Sequence, residues 1–146
     1  MAHKVGVIPF DIVDGEIILV LVTSKTRGRW VLPKGNLKTG ESHKKGCKRE
    51  ALEEAGLKGK ILTDFPVTVP VDKSTDGALA WVPVTFYPMW VTEELPIWEE
   101  SEHRDRCHVS LQEAGVLAGH DDYQHVIALF ADLAPWLAAK RPKKKK

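Results

Sequence analysis

Apolar residues recur along the chain at two periods, and each change of period marks a new element. Lys4 to Phe10 is a nearly continuous apolar run and reads as a strand. Val13-Asp14-Gly15 reads as a turn and Glu16 to Thr23 as a second strand, so the two strands form a hairpin. Ser24 to Arg29 is a polar, basic loop, and Trp30-Val31-Leu32 is a short strand ended by Pro33 and Gly35. A loop from Gly35 to Glu41 precedes Ser42, a suitable N-cap for a helix running to about Ala55; Gly56 is placed to end it in the left-handed region. Leu57 to Val71 is strand-like and Asp72 to Gly77 is a polar turn. Ala80 to Val91 is a further strand, in which Pro83 and Pro88 argue for an edge or a bulge. Ser110-Leu111-Gln112-Glu113 matches a capping box and starts a short helix. An amphipathic helix is expected over Asp122 to Leu133, with Pro135 kinking or ending it. Mixed strands with helices packed on them indicate an α/β sandwich.

Composition adds class and charge. With 146 residues, 43% hydrophobic and 28% charged, the chain fits one soluble globular domain. The net charge of +1 conceals an asymmetry, because Lys140 to Lys146 carries six of the 21 basic residues. The remaining 15 basic residues face 20 acidic ones, a net charge of −5. We therefore divide the chain into a domain at 1–139 and a basic tail at 140–146, expected to be disordered. An acidic body does not make a nucleic-acid-binding face. Cys47 and Cys107 form neither a metal-ligand spacing nor a disulfide framework, which suits a reducing compartment. Asp11, Asp14 and Glu16 interrupt the apolar N-terminal stretch well short of a membrane span, and no signal-peptide pattern is present. A cytoplasmic protein without membrane partners, monomeric or weakly dimeric, is expected.

The segment that changes this picture runs from Gly35 to Leu57. Gly35 is followed after five residues by Glu41, and after seven more by Arg49-Glu50-Ala51-Leu52-Glu53-Glu54-Ala55-Gly56-Leu57. At about 100° per residue, Glu54 and Glu53 fall about 40° and 60° to either side of Glu50, so three carboxylates share one arc. Like charges so placed destabilise a helix by a few tenths of a kcal/mol, roughly, per pair. A hard divalent cation such as Mg²⁺ or Mn²⁺ compensates them, and Arg49, one turn before Glu53, can hold one carboxylate. Cys47, Ala51 and Ala55 fill the adjoining arc with small residues that let the helix lie close to a sheet, so Cys47 is read as a buried hydrophobe. An acidic triplet alone is commonly just a solvated helix face. Seven specified positions filled together by chance arise only about once in 10⁸ windows.

Those residues resemble the Nudix box, G-x5-E-x7-R-E-U-x-E-E-x-G-U with U apolar. The resemblance implies an α/β/α sandwich with a mixed sheet and a loop–helix–loop, and a metal-dependent enzyme that cleaves a phosphoanhydride bond. Carried over by position, it implies Glu50 and Glu54 as core metal ligands and Glu53 as a further ligand or the general base. It implies Arg49 as the residue orienting Glu53, and Glu41 as a weaker contributor behind them.

Beyond the box, Arg29-Trp30-Val31-Leu32-Pro33-Lys34-Gly35 is similar to the diphosphoinositol polyphosphate and diadenosine polyphosphate hydrolases. So are Trp90 to Leu95, Trp98-Glu99-Glu100 and Arg104-Asp105-Arg106. The inositide-cleaving members carry a basic cluster where this chain has Asp72 to Gly77, with one Lys and two Asp, so the expectation tilts towards dinucleoside polyphosphates. Lys25, Arg27, Arg29 and Lys34 are candidate phosphate contacts, with a solvated basic loop as the alternative. Trp30 and Trp81 suit core positions better than base stacking, and Glu99, Glu100 and Glu102 suit surface charge better than a loop ligand. Capped or triphosphorylated RNA and a catalytically silent nucleotide-binding module remain as rival readings; the three intact glutamates weigh against the second.

Overall fold

The computed structural model describes residues 3–25, 28–72, 81–118 and 121–143. The expected hairpin is present as β1 (Lys4–Val13) and β2 (Glu16–Thr23), turning at Asp14 and Gly15, both with positive φ. Two short strands follow, β3 (Trp30–Val31) on β2 and β4 (Lys34–Asn36) on β1. The second overlaps the start of the segment read as loop, and Val5 faces Gly35 across the ladder. Helix α1 (His43–Ala55) begins at Ser42, whose side chain accepts from the Lys45 N–H, and ends at Gly56 with φ 65°. Both ends are as expected.

The strand-like stretch after α1 is two strands, β5 (Leu57–Ile61) and β6 (Val67–Asp72), both antiparallel to the long strand β7 (Trp81–Glu94). Strand β7 also runs parallel to β1, from Lys4 opposite Val84 to Phe10 opposite Trp90. It is therefore central, and the edge suggested by its prolines is corrected. Pro83 stands opposite Pro70, a pairing open to two residues without N–H groups only at a non-hydrogen-bonded position. Pro88 offers its carbonyl to the Leu62 N–H at 2.8 Å. Its ring nitrogen faces that same side, at the break between β5 and β6, so the ladder to β1 loses nothing. A strand not anticipated, β8 (Arg106–Ser110), pairs with β2 and leads through the Ser110–Glu113 capping box into α2 (Leu111–Leu117).

The eight strands form one mixed sheet with a core on each face. Val5 and Val7 of β1 point towards α1 with Val20, Val22 and Met89, while Ile8 and Phe10 point to the opposite core. There α3 (Asp121–Leu137) packs with Val126, Ile127 and Phe130, and the Phe10 ring sits 4.9 Å from Trp90 and 5.4 Å from Phe130. This is an α/β/α sandwich. Helix α3 continues through Pro135 to Leu137, so the proline does not end it. Proline there deprives only the Ala131 carbonyl of its partner, and Leu137, fully buried two residues on, holds the last turn against the core. Trp81, expected in the core, is 53% exposed.

Helix α1 buries only small groups against its sheet. Cys47, Ala51 and Ala55 have no exposed surface, and a Cβ on Gly46 would stand 3.1 Å from Val5. Little apolar area is covered by such residues, so hydrophobic burial fixes the height of the helix above the sheet more than its hold on it. Its grip comes from polar contacts at its two ends. Past α3, Lys140 and Arg141 reach back to the body, the first pairing with Asp64 at 3.1 Å and the second lying 4.7 Å over the Trp90 ring. Among the described residues no helix is long and apolar enough to cross a membrane.

Candidate active site

The carboxylate arc of α1 faces the end of β4. A Cβ on Gly35 would overlap the Glu50 carboxylate, so glycine is required there by close approach and not by backbone angle. Glu50 and Glu54 are only 6% and 9% exposed, whereas the Glu53 side chain is 33% exposed. Arg49 ties the arc to the loop before it. Its Nε and Nη2 donate to the two oxygens of Glu41 at 2.8 and 2.9 Å, its Nη1 to Glu50 at 2.7 Å, and its Nη2 also to the Asn36 carbonyl at 3.0 Å. Its contact with Glu53 is the longest, 3.4 Å. Arg49 is thus held chiefly by Glu41 and Glu50. The Arg49 hydrogen bonds hold the Glu41 carboxyl down at about 2.

Glu54 lies deeper. Its Oε1 accepts from the Lys34 backbone N–H at 3.1 Å, and its Oε2 is 3.5 Å from Arg104. Burial pushes the Glu54 carboxyl up to about 8; the charge of Glu50 adds to the rise, and Arg104 and the Lys34 N–H oppose it. Two adjacent buried carboxylates, one of them resisting ionisation, are short of positive charge. All three glutamates offer hard oxygen donors, and this set suits a divalent cation. Among the described residues no three carboxylate, imidazole or thiol groups converge on one point. Cys47, pushed up to about 12 mainly by burial, keeps its proton and is no nucleophile.

Beside Glu54 opens a cleft of about 190 Å³ lined also by Lys25, Lys34, Arg104 and Tyr123. Two of the four candidate phosphate contacts, Lys25 and Lys34, therefore stand at the site. Lys34 lies over the Tyr123 ring and donates to its hydroxyl. Lys25 pairs with Glu100 at 3.3 Å. Arg29 is exposed and does not line the cleft; its backbone is tied to Ser24. Arg27 and the turn after Asp72 lie outside the described residues.

The residues missed by sequence reasoning come from the segment between β7 and β8. Four successive carbonyls at the end of α1 find donors there. The Glu100 N–H bonds to Glu53, the Trp98 indole to Glu54, Arg106 to Ala55 and the Leu95 N–H to Gly56, all at 2.8 to 3.1 Å. Arg106 also stacks on the Trp98 ring at 4.4 Å, and a Cβ on Gly56 would touch that ring at 2.9 Å. Trp98-Glu99-Glu100 and Arg104-Asp105-Arg106 stood out in the sequence only by resemblance, and Tyr123 gave no signal.

The NUDIX domain pattern matches residues 2–130. The chain belongs to the Nudix family. It is 32% identical over 117 residues to Nudix hydrolase 12, mitochondrial, of Arabidopsis thaliana, covering 77% of this chain and 57% of that protein. It is 35% identical over 124 residues to Nudix hydrolase 16, mitochondrial, of the same plant, covering 75% and 68%. The chain thus spans little more than half the length of the first of these relatives and about two thirds of the second. In structure it superposes on the C. elegans Ap4A hydrolase binary complex with a TM-score of 0.72, over 95% of this chain and 99% of that one, at 20% identity. That likeness is one of fold. Nudix hydrolases generally use divalent metals, which agrees with the donor set on α1.

Proposed function

We propose that this Nudix domain hydrolyses a phosphoanhydride bond in a dinucleoside polyphosphate, with Mg²⁺ or Mn²⁺ held by Glu50, Glu53 and Glu54. The observation carrying this reading is the buried Glu50–Glu54 pair on the Nudix helix, opening onto a cleft lined by Lys25, Lys34 and Arg104. When bound, the cation supplies an acidified water and neutralises charge on the bridging phosphates. The Lys34 N–H orients one oxygen of Glu54. Arg49, pinned by Glu41 and Asn36, sets Glu50 and restrains Glu53. Glu53, the most exposed of the three, has the freedom to accept a proton from the attacking water or to join the ligands. Lys25 and Lys34 bind the far phosphates, and Arg27 and Arg29 remain candidates for the same role.

The nucleotide is preferred over a diphosphoinositol polyphosphate because the stretch from Asp72 to Gly77 carries one Lys against two Asp, and the fold likeness to an Ap4A hydrolase agrees. Comparing kcat/KM on diadenosine polyphosphates, diphosphoinositol pentakisphosphate and a nucleoside diphosphate sugar, each with Mg²⁺ and Mn²⁺, tests this. A clear preference for the inositide overturns the substrate, and no metal-dependent turnover on any of them overturns the activity. Two unpaired cysteines support a reducing compartment such as the cytoplasm. The relatives above are named mitochondrial, and cell fractionation separates the two addresses.

A further inference from the structure

The buried glutamate of this site already has a cation beside it, and that cation is part of the chain. Arg104 is held at three points with its side chain only 10% exposed. Its Nε is 2.8 Å from Glu100 Oε1, its Nη1 donates to the Thr23 carbonyl at 2.8 Å, and its Nη2 stands 3.5 Å from Glu54 Oε2. The Thr23 side chain and backbone both bond to Asp105, so the anchor itself is fixed. Lys25 shares the same Glu100 oxygen and, like Arg104, lines the cleft next to Glu54.

We propose that Arg104 couples the binding of a divalent cation to the binding of a phosphate. It holds Glu54 in the free domain and gives its Nη2 edge to a phosphate when a cation takes that carboxylate. The inference rests on Glu50, Glu53 and Glu54 being the cation's holders. The reason is electrostatic. A divalent cation on Glu54 stands close to the guanidinium in a poorly screened cleft, and the two repel. A phosphate between them turns that repulsion into two attractions, and the planar fork of Arg suits a phosphate edge. Nε and Nη1 stay tethered to Glu100 and Thr23, so the exchange needs no large movement. Coupling of this kind is reciprocal: whatever phosphate does for the cation, the cation does for phosphate.

The test is calorimetric titration of Mn²⁺ into the full chain, with and without inorganic phosphate. Arg104→Gln removes the resident cation and should bind Mn²⁺ about tenfold tighter than the parent when phosphate is absent. Phosphate should tighten Mn²⁺ binding by the parent about tenfold and by Arg104→Gln hardly at all. Arg104→Lys keeps the charge and should stay within about fivefold of the parent in both conditions. Glu100→Gln takes away a competing partner, leaves Arg104 more firmly on Glu54, and should weaken Mn²⁺ binding. Arg104→Lys and Glu100→Gln carry the test if Arg104→Gln does not fold. Unchanged or weaker Mn²⁺ binding by folded Arg104→Gln, or an undiminished phosphate effect in it, overturns the coupling alone; so does Mn²⁺ binding by Glu100→Gln that is not weakened. Failure of the parent to bind Mn²⁺ overturns the assignment of the glutamates, and the coupling with it.

Discussion

The two ends of α1 are built in opposite ways. At the N-terminal end, Ser42 caps the helix and Arg49 is clamped by Glu41 and Asn36, all within 13 residues, while His43 adds a side-chain contact with the distant Tyr87 hydroxyl at 2.8 Å. At the C-terminal end, Gly56 turns the chain, but the four carbonyls before the turn are closed by residues 95–106, 39 to 51 positions away. The catalytic candidates Glu53 and Glu54 belong to this second end. The helix backbone is thus capped by its own neighbours where it starts and closed by a distant segment where Glu53 and Glu54 sit.

The largest expected break in that contrast is Glu54→Gln, which removes the group's ability to ionise around a cation without changing shape. It should lower kcat by at least ~10²-fold while leaving the fold intact. Near-normal turnover in a steady-state assay would remove Glu54 from the site. Ala51→Leu strikes midway between the ends, where a fully buried Cβ leaves no room, and should cost about 1–3 kcal/mol in denaturant unfolding. An unchanged unfolding midpoint would show that the sheet yields. Trp98→Phe and Ser42→Ala form the sharpest pair, since each deletes one bond from one end. Both should cost about 1 kcal/mol of stability. Only Trp98→Phe should reduce kcat more than it alters KM; equal kinetic effects would dissolve the distinction between the ends.

The smallest effect is on pH dependence, and the two ends have opposite signs. Glu41, held down at about 2, contributes stability present above its ordinary pKa of about 4.5 and lost as pH falls towards 2. Glu54, pushed up to about 8, binds a proton in the folded state that the unfolded chain releases. Its contribution is present below about 4.5 and lost as pH rises through about 8. Thermal melts in EDTA should therefore decline over that upper window, Glu54→Gln should flatten the decline, and saturating Mg²⁺ should reverse it. A decline untouched by Glu54→Gln would assign it to another group.

The same contrast explains what the sequence disclosed. Ser42, Gly56, the spacing of Glu50, Glu53 and Glu54, and the small residues at 47 and 51 are local signals, and each is found where the pattern placed it. Bonds from Trp98 and Arg106 to backbone carbonyls leave no trace in the residues that accept them, so the clasp on the C-terminal end was not legible. The position of β7 was obscured for a related reason. Pro83 and Pro88 look like edge residues until one knows which side of each faces a neighbour, and only the register decides that. Arg104 was visible as part of a motif, but its partners Thr23, Glu54 and Glu100 lie up to 81 residues away.

The clasp has a consequence for the order of events during synthesis. α1 can wind up, with its own cap, as soon as residue 56 is available. The carbonyls of Glu53, Glu54 and Ala55 cannot all be closed until Trp98, Glu100 and Arg106 have left the ribosome and the intervening loop of about 50 residues has closed, a slow step that follows local structure. In a nascent chain halted before residue 95 the carbonyls of residues 53–56 should therefore lack these donors, and the last turn should fray, its amide hydrogens exchanging faster than in the complete domain.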